Sequence, residues 1–420
     1  MAKVRPFKAV RPKKEYAARA ACLPYDVVSE DEARKTAADE PLSFMRVIRP
    51  EINFPEGYEF KEGEVYEKAA SLIDEYISEG IFKEDKKPCL YIYRQLTMGR
   101  VQTGLVGCFC VDDYLNGNIK EHEATRPDKE EDRIRHMEAC GANTGLVYLA
   151  YKKGKKLRIL LEEETKKEPV YDFYTENGVR HLVWKISDKD RVKEISKAAS
   201  NTGTLYIADG HHRAASAAKV CLRRRAENPS YTGREEFNYF MAAAFPKQEL
   251  VIMPYYRVVR DLNGSSPDEF LLKVSESFFV SCVPEEFTEN EKKAGAYKPA
   301  RKGEIAMYLD GKWYRLNVKE EIIKTDPVGV LDVSILQENL LGPILGILDP
   351  RTDNRIDFVG GVRGMGELER RCSEDMRVAF ALYPTSMDEL MNIADSGLNM
   401  PPKSTWFEPK LLSGLFIHKL

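Results

Sequence analysis

The stretch Ile207-Ala208-Asp209-Gly210-His211-His212-Arg213-Ala214-Ala215 constrains this chain more than any other. Leu205 to Ala208 is a short apolar run of strand length. His211 to Ala226 is Ala-rich, then basic, and closes before Pro229, which is the pattern of a helix. Only Asp209 and Gly210 lie between, so a buried strand must become a helix across a single glycine. Such a junction gathers unpaired N–H groups and the positive end of the helix dipole, and glycine lets a ligand approach the backbone. With two imidazoles and a guanidinium added, it is an anion site, most naturally for phosphate or carboxylate. Asp209 is placed either to hold a divalent metal or to orient His211. The structural alternative is a helix cap followed by a solvated first turn, but four of the six histidines fall in two places, His122/His136 and His211/His212.

Other segments carry candidate chemistry. In Lys120-Glu121-His122-Glu123-Ala124-Thr125-Arg126-Pro127, His122 and Glu123 can supply a base, an acid or a metal ligand, or simply belong to an exposed charged loop. Position 126 is arginine, so the two-histidine zinc-protease spacing fails. Pro24-Tyr25-Asp26-Val27 precedes a helix predicted over Glu30 to Ala38, with Ser29 and Glu32 forming a capping box. Asp26 is then a catalytic carboxylate or a helix-stabilising one. In the tail, Lys403, Ser404 and Lys410 can reach phosphates by folding over, although Lys403-Ser404-Thr405 lacks the glycines of a nucleotide P-loop. Arg94 and Arg257, each near a strand end, are further phosphate-binding candidates.

Composition narrows the classes. With 420 residues and 43% hydrophobic content the chain can bury a large core in two units. Against 64 Lys+Arg stand 67 Asp+Glu, a net charge of −3, which argues against a protein coated in nucleic-acid backbone. No run of eighteen apolar residues and no secretory signal is found, so a cytoplasmic protein off the membrane is expected. The eight cysteines are scattered, with Cys108 and Cys110 the one close pair, and read as reduced, mostly buried thiols.

The predicted fold is α+β, a mixed-sheet core with large elaborations and a C-terminal α+β part. Strands are predicted at Leu90–Tyr93, Thr103–Asp112, Gly145–Tyr151, Lys156–Leu161, Pro169–Tyr174, Val179–Lys185, Tyr239–Phe245 and Leu250–Val259. The texture changes at Asn263-Gly264-Ser265-Ser266-Pro267, which sets a catalytic domain at 1–262 and a second domain at 263–420 whose tail returns to the active cleft. In the latter, Asp310-Gly311 marks a hairpin, and a helix is predicted over Val330–Leu341.

At Asp209-Gly210-His211-His212-Arg213 the chain resembles the ParB/sulfiredoxin superfamily, and more closely a prokaryotic family of SpoOJ/ParB-like proteins of unknown function. Pro24-Tyr25-Asp26-Val27, His122-Glu123-Ala124-Thr125, Asp326-Pro327-Val328 and Met400-Pro401-Pro402-Lys403-Ser404-Thr405 extend the resemblance over nearly the whole chain. His211 stands where sulfiredoxins carry cysteine, which removes the thiol of that chemistry. Strands replace the DNA-binding helices that follow the motif in ParB. Tyr256 occupies the position of the family's histidine before Arg257. The resemblance that remains is to free-serine kinases. It implies a phosphotransferase acting on a small hydroxylated metabolite such as L-serine, with ATP, ADP or pyrophosphate as donor and Mg²⁺ held by Asp209. Gly210, His211, His212, Arg213, Arg94, Lys403, Ser404 and Lys410 would hold the donor, and Asp26, His122, Glu123, Asp209, His211 and His212 would carry the chemistry. Either Glu123 or Asp26 would take the hydroxyl proton. A nucleotide-binding regulator is the second reading and nucleic-acid binding a distant third; a homodimer is compatible with each.

Overall fold

A computed structural model describes residues 2–97, 99–283 and 297–420. The chain divides into two compact units, Met1–Leu250 with Pro409–Leu420, and Val251–Glu408. The fold is α+β. Among the described residues no helix is long and apolar enough to cross a membrane.

The first unit is built on one mixed sheet of nine strands. In chain order these are β1 (Val4–Arg5), β2 (Leu90–Thr97), β3 (Arg100–Cys110), β4 (Ile119–Lys120), β5 (Val147–Tyr151), β6 (Tyr171–Tyr174), β7 (Arg180–Ile186), β8 (Leu205–Asp209) and β9 (Tyr239–Pro246). They lie in the order β4-β8-β5-β9-β3-β2-β7-β6, with β1 beside β3. β8 runs parallel to β4 and β9 parallel to β5, and the other pairs are antiparallel. Leu90, Ile92, Leu105, Leu149 and Ile207 are fully buried in the main core. Their period-2 spacing along each strand puts them on one sheet face.

Helices α1 (Glu30–Asp39), α2 (Glu64–Ser78), α3 (Pro127–Cys140), α4 (Lys155–Glu164), α5 (Lys189–Ser200) and α6 (His211–Glu227) complete this unit. α1 starts where its capping box predicts, with both Ser29–Glu32 hydrogen bonds formed. α4 replaces the strand expected at Lys156–Leu161. Leu157, Leu160, Leu161 and Glu164 recur at helical spacing and are its buried face, so the 3.6-residue period outweighs the short apolar run.

The second unit has an antiparallel sheet of β10 (Tyr255–Val259), β11 (Phe278–Cys282), β12 (Glu304–Leu309), β13 (Lys312–Val318), β14 (Ile356–Gly360) and β15 (Val378–Leu382). Its order is β11-β13-β12-β15-β10-β14. The β12–β13 hairpin turns on Asp310 and Gly311, at φ of 49° and 77°, the paired positive values of a type I′ turn. Pro254 splits the strand expected over Leu250–Val259 into Val251–Met253 and β10, since proline brings no N–H to a ladder. The helix expected over Val330–Leu341 begins as Asp332–Leu336 and continues with π geometry over Gln337–Leu341.

The division between the units falls at Leu250, ahead of the Asn263-Gly264 turn, because β10 already pairs with β14 and β15. The last twelve residues rejoin the first unit. Ile417 bridges Val10, and His418–Lys419 pair with Ala142–Asn143.

Within the second unit, burial pushes the Asp332 carboxyl up to about 6, the Gly303 N–H at 3.0 Å only partly opposing it. Between the usual aspartate value and pH 6 the folded state holds a proton that the unfolded chain has released. This unit therefore loses stability as pH rises through that window. Asp332→Asn is expected to flatten the fall and leave the unit more stable than wild type at pH 8. Denaturant titrations at pH 5 and pH 8 check this, and an unchanged pH dependence in the variant contradicts it.

Candidate functional site

β8 ends at Asp209, Gly210 follows at φ 92° and ψ 33°, and α6 begins at His211. The left-handed conformation favours glycine here, and space demands it. A Cβ on Gly210 would lie 2.8 Å from Arg213 Nε and 2.9 Å from its Cζ. Ala214, Ser216, Ala217 and Ala218 are buried, and such small side chains let α6 lie close to α3. The Ser216 hydroxyl donates to the Glu130 carbonyl at 3.1 Å, and Lys219 pairs with the Glu130 carboxylate. The N-terminal half of α6 is thus fixed by packing and by a charged contact, both against α3.

The Asp209 carboxylate faces two cations, Lys410 Nζ at 3.1 Å from one oxygen and an Arg213 guanidinium nitrogen at 3.8 Å from the other. Burial opposes its charge, but Lys410 and Arg213 outweigh burial and hold the carboxyl well below the usual range. Lys410 is held by a buried polar chain. Gln95 donates to the Lys410 carbonyl at 2.8 Å, Gln102 donates to Gln95 at 2.7 Å, and the Tyr148 hydroxyl donates to Gln102 at 2.9 Å. The Arg213 guanidinium also donates to the Leu146 carbonyl.

His122 and His211 meet ring to ring, centroids 4.5 Å apart and planes at 85°, with 1% and 4% of their surfaces exposed. Neither His122 ring nitrogen has a hydrogen-bond partner of normal geometry, and the same holds for His211 Nε2 and Arg213 Nε. Among the described residues eight buried side-chain polar atoms lack a partner, and these four are half of them. Since buried polar groups are nearly always satisfied, such clustering marks a place made for something else. Burial drives the His122 imidazole down to about 4, the Ile207 backbone and Asp209 offsetting it only in part. Burial, then neighbouring His122, takes His211 well below its ordinary value. His212 is half-exposed to the site's other side; its Nε2 accepts the Arg126 N–H at 3.0 Å, and burial lowers it while Asp26 and Glu130 act to raise it.

The structure thus gathers Asp209, Gly210, His211, Arg213, His122, Glu123 and Lys410 in the first unit, with His212 and Asp26 electrostatically linked on its flank. Arg94 is directed elsewhere. It donates to Thr103 Oγ1 at 2.8 Å and pairs with Glu162 of α4, because neighbours on a strand point to opposite faces and Gln95 takes the Lys410 side. Lys403 and Ser404 belong to the second unit, where the Lys403 ammonium lies 5.3 Å from the Tyr255 ring centroid and the Ser404 hydroxyl donates to Pro401 at 2.6 Å. Ser404 and Arg257 line a cavity of about 300 Å³ in that unit. The cations there are already engaged: Arg257 donates to the Tyr255, Pro402 and Lys403 carbonyls, and Lys302 pairs with Glu389. The cavity beside Arg213 in the first unit, lined by Tyr25, Arg133, Asn143 and Ser413, holds only about 40 Å³. That is room for water. Gln95 and Gln102 escaped the sequence reading; buried amides within the strand patterns of β2 and β3 were the available signal.

These features define the class: an α+β protein whose main mixed sheet delivers a strand, one glycine and a cation-rich helix start to a single point. The chain belongs to the family described as "Protein of unknown function (DUF1015)", whose model matches residues 4–334. No curated protein matches it. Among solved structures it is similar to a free serine kinase in complex with AMP, at 14% identity and a TM-score of 0.31, covering 72% of this chain and 86% of that one. It is also similar to SbnI with a C-terminal truncation from Staphylococcus aureus, at 10% identity and a TM-score of 0.36 over 73% and 85% of the two chains. A conserved hypothetical protein from Pyrococcus furiosus is similar at 13% identity and a TM-score of 0.31 over 75% and 95%.

Proposed function

We propose that the protein transfers a phosphoryl group to the hydroxyl of a small metabolite, with ATP, ADP or pyrophosphate as donor. The resemblance of the Asp209–Arg213 motif to free-serine kinases names L-serine as the first acceptor to test. One observation carries the reading: an unsatisfied Arg213 Nε, the α6 N-terminus and Lys410 converge at Gly210, against which the Arg213 guanidinium lies. Charge on a transferring phosphoryl lies on its equatorial oxygens, and catalysis is mainly positioning plus electrostatic stabilisation. The first-turn N–H groups, Arg213 and Lys410 would provide that stabilisation.

The acceptor hydroxyl oxygen attacks phosphorus, the bond to the leaving phosphate oxygen breaks, and the hydroxyl proton passes to a carboxylate. Asp209 is too well stabilised as an anion to be that base. Asp26, whose charge reaches His212, and Glu123 are the two proposed bases. Both Asp209 oxygens face cations, so this carboxylate does not fit the magnesium role, and no step is assigned to that ion.

Incubating the full chain with L-serine, Mg²⁺ and each donor is expected to yield phosphoserine, and Arg213→Ala to lower the rate by about 100-fold or more. No product from any donor, across a panel of small alcohols, sinks the proposal. The double capture of Asp209 favours one second reading, a site that binds a nucleotide without turning it over. Saturable nucleotide binding with no product would establish that reading instead. Nucleic-acid binding would require a steep loss of affinity with salt, and a flat response dismisses it.

A further inference from the structure

The geometry points to a divalent transition-metal site formed by His122, Glu123 and His211. The ligating atoms of these three side chains lie within 4.8 Å of one another. A tetrahedron of metal–nitrogen and metal–oxygen bonds near 2.1 Å has edges of about 3.4 Å, so modest side-chain rotation completes the approach. The inference adds a cation to the junction described above and does not rest on phosphoryl transfer; with Glu123 as a ligand, Asp26 is the base that remains for that reaction.

Two observations carry it. First, both imidazoles are more than nine-tenths buried, and three of their four ring nitrogens have no hydrogen-bond partner of normal geometry, the Ile207 backbone giving His122 only a partial one. Leaving such groups unsatisfied is costly, and a shared metal ion would satisfy one nitrogen of each ring at once. Second, the rings are held edge to face at 4.5 Å rather than spread apart. They come from separate places in the chain, His122 from the loop after β4 and His211 from the start of α6, where β4 and β8 pair in parallel.

The donor set also selects the ion. Two imidazole nitrogens and one carboxylate suit zinc, cobalt, manganese or iron(II), whereas Mg²⁺ and Ca²⁺ prefer all-oxygen shells. Three protein ligands leave a position open for water or for an anion resting on the α6 start.

The test uses the full chain stripped with chelator and titrated with Zn²⁺ alone, read by elemental analysis and calorimetry. One equivalent is expected, bound in the presence of excess Mg²⁺. His122→Ala and His211→Ala should each weaken binding by more than the 10–100-fold that outer-shell partners of a metal are worth, and Glu123→Gln should weaken it as well. Co²⁺ added to the wild-type chain should give visible ligand-field bands of a low-coordinate site, which needs no variant to fold. Less than a tenth of an equivalent retained, a featureless Co²⁺ spectrum, or unchanged affinity in folded His122→Ala and His211→Ala overturns the assignment. Each readout is independent of phosphoserine formation, so failure here and failure of the kinase reading are separately visible.

Discussion

Asp85→Ala is expected to destabilise the first unit by about 3–5 kcal/mol, the cost of removing one partner from a buried ion pair. Asp85 and Arg11 are 5% and 6% exposed, and the guanidinium donates to both carboxylate oxygens at 2.8 and 3.0 Å. The Tyr91 hydroxyl at 2.6 Å and Lys185 at 2.7 Å complete the carboxylate's shell, while Arg11 also donates to Tyr171 at 3.0 Å. Burial opposes the charge on Asp85, but Arg11, Lys185 and Tyr91 overcome it and bring the carboxyl down to about 2. The stabilisation is therefore present above the usual aspartate value and lost as pH falls toward 2. Removing the carboxylate strands the buried Arg11 and the part-buried Lys185, and the loss should appear as a lowered denaturant midpoint at pH 7 that narrows in acid. A midpoint unchanged at pH 7 would show the network to be energetically neutral.

Gly210→Ala should abolish the function of the junction, lowering anion or nucleotide affinity by about 100-fold and costing about 1–2 kcal/mol in backbone strain. A methyl group at this φ would sit within 3 Å of the Arg213 guanidinium, which cannot retreat without leaving Asp209 and the Leu146 carbonyl. Phosphate or nucleotide titration of the folded variant measures the effect. Wild-type affinity in Gly210→Ala would mean that the ligand does not use this helix start. The two variants report on different things: Asp85 lies in the scaffold and Gly210 at the junction, so stability and binding should respond separately.

Much of this protein was legible in short windows of sequence. The Asp209-Gly210 junction, the Ser29–Glu32 capping box and the Asp310-Gly311 hairpin depend on interactions spanning a few residues, and each forms where the residues place it. The α+β class followed from the same local periodicities. Where a short apolar run carried two periods, as at Lys155–Glu164, the strand reading lost because burial on a helical face decides between them.

What tertiary structure alone decided is which of the candidate groups meet. His122 reaches His211 because β4 pairs with β8, and Lys410 reaches Asp209 because the final twelve residues rejoin the first unit. Arg94 was as plausible as Lys410 by residue type, yet its strand position turns it toward Glu162. Sequence by itself determined the strand, the glycine and the helix, since backbone geometry and dipoles are local. The neighbours of that junction were set by sheet order and chain return, and these depend on burying a core across hundreds of residues rather than on any motif.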